Sequence, residues 1–142
     1  MFTRETLYNT YVHAQKDNSM KIALYTRDEE AITHGQLLKE TDKAAAGLLS
    51  YKSKSDFKIG IISSCSYEEA VFLLAASKIG AVSKYIDFTK NITEIGESIA
   101  ESSIDVLVMA AEFLSMEQFI NPFLQQSFFF LRRQCFTGAF IR

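Results

Sequence analysis

The sequence predicts an α/β fold, a partial three-layer domain of parallel strands with helices packed on them. Two observations carry that prediction. Residues 57–109 read as strand, helix, strand, helix, strand, the order of a parallel sheet with right-handed crossovers. Within that stretch Ile59, Ile61 and Ile62 form a β-branched run of the kind found in strands covered on both faces. At 142 residues and 48% apolar, the chain has material for one core and one domain.

The elements follow in order. Residues 3–16 predict a helix capped by Thr3 or Thr6, with Leu7, Tyr11 and Ala14 on one face. Asp17-Asn18-Ser19 is a turn cluster. Lys21 to Thr26 alternates like a strand, Arg27 to Glu30 turns the chain, and Ala31-Ile32-Thr33 returns it as a hairpin. That turn lacks Asn-Gly or Asp-Gly, which leaves its type open.

Thr33 and Gln36 have the spacing of a capping box, in which hydroxyl and amide side chains satisfy each other's backbone N–H groups. The helix they open carries Leu37, Leu38, Thr41, Ala44, Ala45, Leu48 and Leu49 on one stripe, with Lys39, Glu40, Asp42 and Lys43 opposite. The basic, serine-rich segment 51–56 is a loop. Phe57 to Ile62 is the first parallel strand.

Ser64 or Ser66 is expected to cap the next helix, with Glu68 and Glu69 in the first turn, where the helix dipole favours acids. Ala70, Val71, Leu74 and Lys78 align along that helix, and Gly80 ends it. Val82 to Phe88 is the second strand. Thr93, Glu94 and Glu97 start a helix with Ile95 and Ile99 inside. Ile104 to Met109 is the third strand, apolar apart from Asp105.

The composition then changes. All 17 acidic residues lie at or before Glu117, and seven of the 12 phenylalanines fall in residues 119–142. No helical or strand period fits that stretch. Residues 1–116 are therefore expected to form the domain, and 117–142 a divergent phenylalanine-rich tail, read out of frame after a truncation.

A net charge of −2 gives no electrostatic basis for binding nucleic acid. No window reaches the ~18 apolar residues of a membrane span. Met1 to Tyr8 has no basic start followed by an apolar run, so the expected location is cytoplasmic. Self-association through exposed apolar surface stays open.

The candidate chemical groups all have plainer readings. Cys65 lies at a strand-to-helix turn, but the only histidines, His13 and His34, sit in other elements, so it reads as a loop or core thiol. Cys65 and Cys135 follow no metal or redox spacing. Ser63-Ser64-Cys65-Ser66 precedes a helix but lacks the glycines and the Lys-Ser/Thr pair of a P-loop, so it reads as capping. His34 reads as a surface or capping neighbour. Glu68-Glu69 and Glu29-Glu30 are adjacent pairs, read as solvated charges. No catalytic, cofactor-binding or metal residue is assigned.

Several segments resemble, in order, the AMP-forming adenylating enzymes of the acyl-CoA synthetase type. Thr33-His34-Gly35-Gln36-Leu37 stands where that family has a Thr-Tyr-x-Glu-Leu helix start. Ile59 to Ser64, followed by Ser66-Tyr67-Glu68, is similar to its strand, turn and S-x-E helix start. Ala75 to Val82 is similar to its A-L-x-x-x-G-A-V passage, and Ile86-Asp87-Phe88 to its Ile-Asp-Pro. Thr93-Glu94-Ile95 and the strand Ile104 to Met109 follow in register. His34, Gln36 and Phe88 replace the usual tyrosine, glutamate and proline.

The resemblance implies an N-terminal subdomain of an enzyme that adenylates a carboxylate with ATP and magnesium and passes the acyl group to a thiol such as coenzyme A. It also implies a Ser/Thr/Gly-rich phosphate loop ending in Pro-Lys-Gly and a later lysine-bearing segment. Neither occurs in these 142 residues; Thr137-Gly138 has no glycine run or lysine around it. The expectation is a truncated N-terminal part, inactive alone. The alternatives are a small non-catalytic nucleotide-binding or regulatory α/β module, and an interaction protein anchored by its phenylalanine tail.

Overall fold

The computed structural model describes residues 5–26, 28–51, 55–64, 66–110, 113, 115, 117–120 and 128–131. The elements are α1 (Leu7–Ala14), β1 (Ile22–Tyr25), β2 (Ala31–Thr33), α2 (His34–Leu49), β3 (Lys58–Ile62), α3 (Ser66–Lys78), β4 (Val82–Tyr85), α4 (Ile92–Glu101), β5 (Val106–Ala110), α5 (Glu117–Ile120) and β6 (Phe128–Leu131). β1 and β2 form an antiparallel hairpin. The other four strands form one parallel sheet in the order β4-β3-β5-β6.

Alternation along β3 and β5 divides the core between the two faces of this sheet. Ile59, Ile61, Val106 and Val108 join one cluster with Leu37 and Leu48 of α2 and Val71 and Phe72 of α3. Ile62, Leu107 and Met109 join the other with Ile95 and Ile99 of α4 and Ile120 of α5. The result is the expected three layers, α2 and α3 on one side and α4 with α5 on the other.

Local chemistry sets the ends of the elements. The Thr33 hydroxyl accepts from the Gln36 amide at 3.2 Å, and the Gln36 side-chain oxygen accepts from the Thr33 amide at 2.8 Å. Thr33→Ala removes the hydroxyl arm of this box, while the backbone amide that Gln36 accepts from remains, and is expected to cost about 1 kcal/mol in chemical denaturation. Thr6 caps α1, accepting from the Asn9 amide at 3.2 Å; Thr3 lies outside the described residues. Gly80, at φ 69°, closes α3: its amide donates to Ser77 O at 3.3 Å and the Ala81 amide to Ala76 O at 2.9 Å, the paired bonds of a Schellman motif. In the hairpin turn the left-handed position is Glu29, at φ 62°, so a turn without Asn-Gly still finds its bend.

Asp105, the one acid in an apolar strand segment, has a structural use. Its Oδ2 accepts from the Lys58 amide at 2.9 Å, and its own amide donates to Lys58 O at 2.9 Å. The side chain and backbone of one residue thus pin the starts of β3 and β5 together.

The structure departs from the sequence reading at several points. α1 is shorter, and β4 stops at Tyr85. α4 begins two residues before Thr93's position as cap would require, because Asn91 supplies the box: its Oδ1 accepts from the Glu94 amide at 3.0 Å, and Glu94 Oε2 accepts from the Asn91 amide at 3.1 Å. Ser66 is already the first helical residue of α3; the position before it, Cys65, lies outside the described residues. Leu49 is exposed, past the end of the α2 contact.

α3 buries Tyr67, Val71, Phe72, Leu74, Ala75 and Ala76, far more than one stripe. It packs against α1, α2, β3 and β4, so no single side of it faces water along its length. Finally, Phe128–Leu131 forms a strand, parallel to β5 from Leu107↔Phe128 to Ala110↔Leu131. Three identical aromatics in a row offer no alternation to read, although aromatic residues favour strands.

Candidate functional site

In open parallel sheets ligands bind beyond the carboxyl ends of the strands, where the strand order reverses. Here the chain leaves β3 for β4 on one side and returns to β5 on the other, so that point lies between β3 and β5. Ser63 and Ser64 follow β3 at this edge; residues 111 and 112, which follow β5, lie outside the described residues.

Ser63 is buried, and its hydroxyl donates to Glu68 Oε2 at 2.7 Å. The Tyr85 hydroxyl, from the end of β4, donates to Ser63 O at 3.4 Å. Burial pushes the Glu69 carboxyl above its ordinary value, and the neighbouring Glu68 adds to the rise. Burial likewise raises the Tyr85 phenol, assisted by the charges of Glu69 and Asp87. Asp87 goes the other way: the Thr89 hydroxyl and amide donate to its Oδ1 at 2.6 and 2.9 Å and hold its carboxyl below the usual range.

Glu68 and Glu69 are therefore half-buried and mutually coupled rather than the solvated charges expected. They also answer the question of the serine turn. A phosphate at this helix start would lie beside two carboxylates, one of them bonded to the Ser63 hydroxyl that would have to bind it. The described residues of this edge do not fit ATP phosphates. No group of three or more His, Cys, Asp or Glu among the described residues is arranged to hold a metal ion.

The remaining candidates are scattered. Glu29 and Glu30 sit in the exposed hairpin turn. His34 is the first residue of α2, its Nδ1 bonded to the Tyr11 hydroxyl and its ring 5.6 Å from the Tyr11 ring. His13 is exposed on α1. Cys65, Cys135 and all of the tail beyond Leu131 lie outside the described residues.

One polar constellation had no signal in the sequence. The Tyr8 hydroxyl donates to Asp42 Oδ1 at 2.9 Å, Lys78 Nζ donates to the same oxygen at 2.7 Å, and Nζ lies 4.9 Å from the Tyr8 ring centroid. The bond to Asp42 raises the Lys78 ammonium above its ordinary value; burial and the bond to Asp42 raise the Tyr8 phenol. These residues are 34 and 36 positions apart in the chain. Neither periodicity nor motif links residues so far apart.

Comparison with solved structures finds the same architecture in a CoA ligase, an acid ligase and an N-terminal subdomain solved with a small molecule. The anthranilate CoA ligase AuaEII, solved with anthranoyl-AMP, matches with a TM-score of 0.80 and 19% identity, over 89% of this chain and 25% of that one. A mutant coronafacic acid ligase from Pectobacterium brasiliense matches with a TM-score of 0.80 and 20% identity, over 94% of this chain and 27% of the other. The N-terminal subdomain of Klebsiella oxytoca NpsA, solved with 3-hydroxyanthranilyl-AMSN, matches with a TM-score of 0.68 and 22% identity, over 76% of this chain and 28% of that one. The chain thus spans about a quarter of the length of these proteins. No curated protein matches the sequence. The sequence profile of the AMP-binding enzymes matches residues 11–126, and the chain belongs to that family.

Proposed function

We propose that these 142 residues are an N-terminal scaffold part of an AMP-forming acyl- or aryl-CoA ligase and do not adenylate a carboxylate by themselves. The observation that carries this reading is a family match across residues 11–126 in a sequence without the Ser/Thr/Gly-rich loop ending in Pro-Lys-Gly. Transfer of AMP from ATP to a carboxylate oxygen needs donors around the ATP phosphates and a cation on the departing pyrophosphate. The Glu68 and Glu69 carboxyls beside the end of β3 are not donors to phosphates. ATP, magnesium and coenzyme A belong, on this reading, to the complete ligase. A cytoplasmic location goes with it, supported by two cysteines that follow no metal or redox spacing.

The expected result is no ATP–pyrophosphate exchange by the purified chain with a panel of aliphatic and aromatic carboxylates. Turnover that survives repurification would sink the reading. The same proposal takes the phenylalanine-rich end of the chain, past the family match at residues 11–126, as an out-of-frame tail. Genomic DNA downstream of codon 142 tests that: a Pro-Lys-Gly loop in a shifted frame supports it, and its absence counts against it.

A stand-alone α/β module is the second reading, favoured by the pairing of β6 with β5. It expects deletion of residues 128–142 to lower the melting temperature of a cooperative transition. A tail that contributes nothing leaves the transition unchanged.

A further inference from the structure

α1 is attached unlike any other helix of seven or more residues here. None of its eight residues is buried, and Leu7 is exposed. Its contact with the core runs through two half-buried tyrosines, Tyr8 and Tyr11. Each ends in a polar bond to α2, to Asp42 and His34 respectively. Those two residues are eight positions apart, about 12 Å along a helix. On the other side the Tyr8 amide donates to the Ser77 hydroxyl of α3 at 3.0 Å, and Lys78 of α3 covers the Tyr8 ring. α1 thus crosses the seam between α2 and α3 and is held on both.

The chain just beyond α1 is fixed independently. The Gly35 amide donates to Ser19 O at 2.8 Å and the His34 amide to Lys21 O at 3.0 Å. A Cβ on Gly35 would meet Ser19 O at 3.2 Å, so glycine permits this close approach. Release of α1 therefore leaves the hairpin and the start of α2 anchored, with the turn at 15–18 as the hinge.

We infer that α1 is a strap that opens from the α2–α3 seam while the rest of the domain stays folded, and that the Tyr8–Asp42–Lys78 node is the latch that sets how often it opens. Elements with little buried apolar surface and solvent-accessible polar contacts open at lower free energy than the core. Asp42 and Lys78 keep 50% and 37% of their side-chain surface in water, so salt screens the charged half of the latch.

Native-state hydrogen exchange on the whole chain tests this. α1 amides are expected to exchange at least about tenfold faster than those of β3 and β5. Tyr8→Phe keeps the ring and removes the bond to Asp42, and is expected to speed α1 exchange about fivefold with β3 and β5 unchanged. Raising NaCl from about 50 to about 500 mM is expected to speed it about twofold in the unmodified chain and not in Asp42→Asn, which keeps an acceptor without the charge. Equal protection of α1 and β3, or a variant that loosens every element alike, overturns the strap. A salt response that persists in Asp42→Asn overturns the latch.

Discussion

Replacing Phe72 with alanine is expected to lower the unfolding free energy by about 3–5 kcal/mol, the cost of deleting a buried aromatic ring and leaving a cavity. Phe72 is 1% exposed and packs in the core layer formed by α2, α3 and the sheet. A domain of this size has about 5–15 kcal/mol in total, so the variant loses roughly a fifth or more of its stability. In urea the midpoint should fall by roughly 2 M with the slope unchanged. Leu73, its neighbour in sequence, is 44% exposed, and Leu73→Ala should cost under about 1 kcal/mol. Equal losses at the two positions would mean that α3 does not sit in the core as described.

Gly60→Val is the second large effect, and there local preference and packing disagree. Valine is the better strand former, and removing a glycine restricts the unfolded chain. Yet a Cβ at Gly60 would lie 3.0 Å from Leu107 Cδ1 and 3.2 Å from Ile104 Cγ2. Leu107 is fully buried and pairs with Gly60 across the β3–β5 ladder, so it has no water to move into. Overpacking of this kind costs about 1–3 kcal/mol, which exceeds the local gain of under about 1 kcal/mol. Thermal melting should show Gly60→Val below the unmodified chain and Gly60→Ala between them. A Gly60→Val protein that melts higher would show that the β3–β5 face has slack.

The same two positions show what could be read from the chain alone. The Thr33–Gln36 box, the Gly80 stop and the β-α-β-α-β order depend on neighbours within a few residues, and all were legible. Phe72 was not, because a periodic pattern identifies one covered face, and α3 is covered by α1, α2 and two strands. Gly60 was not, because its constraint is a side chain 47 residues away. The partner of Asp105 lies equally far off, at the Lys58 amide. The carboxyl edge was half legible: the serine turn and both glutamates stood out, but the bond from Ser63 to Glu68 and the burial of Glu69 require the fold.

The strand order has a consequence during synthesis. β3 lies between β4 and β5, and it is made before either of them. Its register partners arrive 24 residues later, at Val82 for Lys58, and 47 residues later, at Val106 for Ile59. At about 10 residues per second, the isoleucines of β3 wait some 2 s for one neighbour and 5 s for the other. Until β4 emerges, a nascent chain carries an apolar strand with two open edges, with α2, already made, to shelter one face of it.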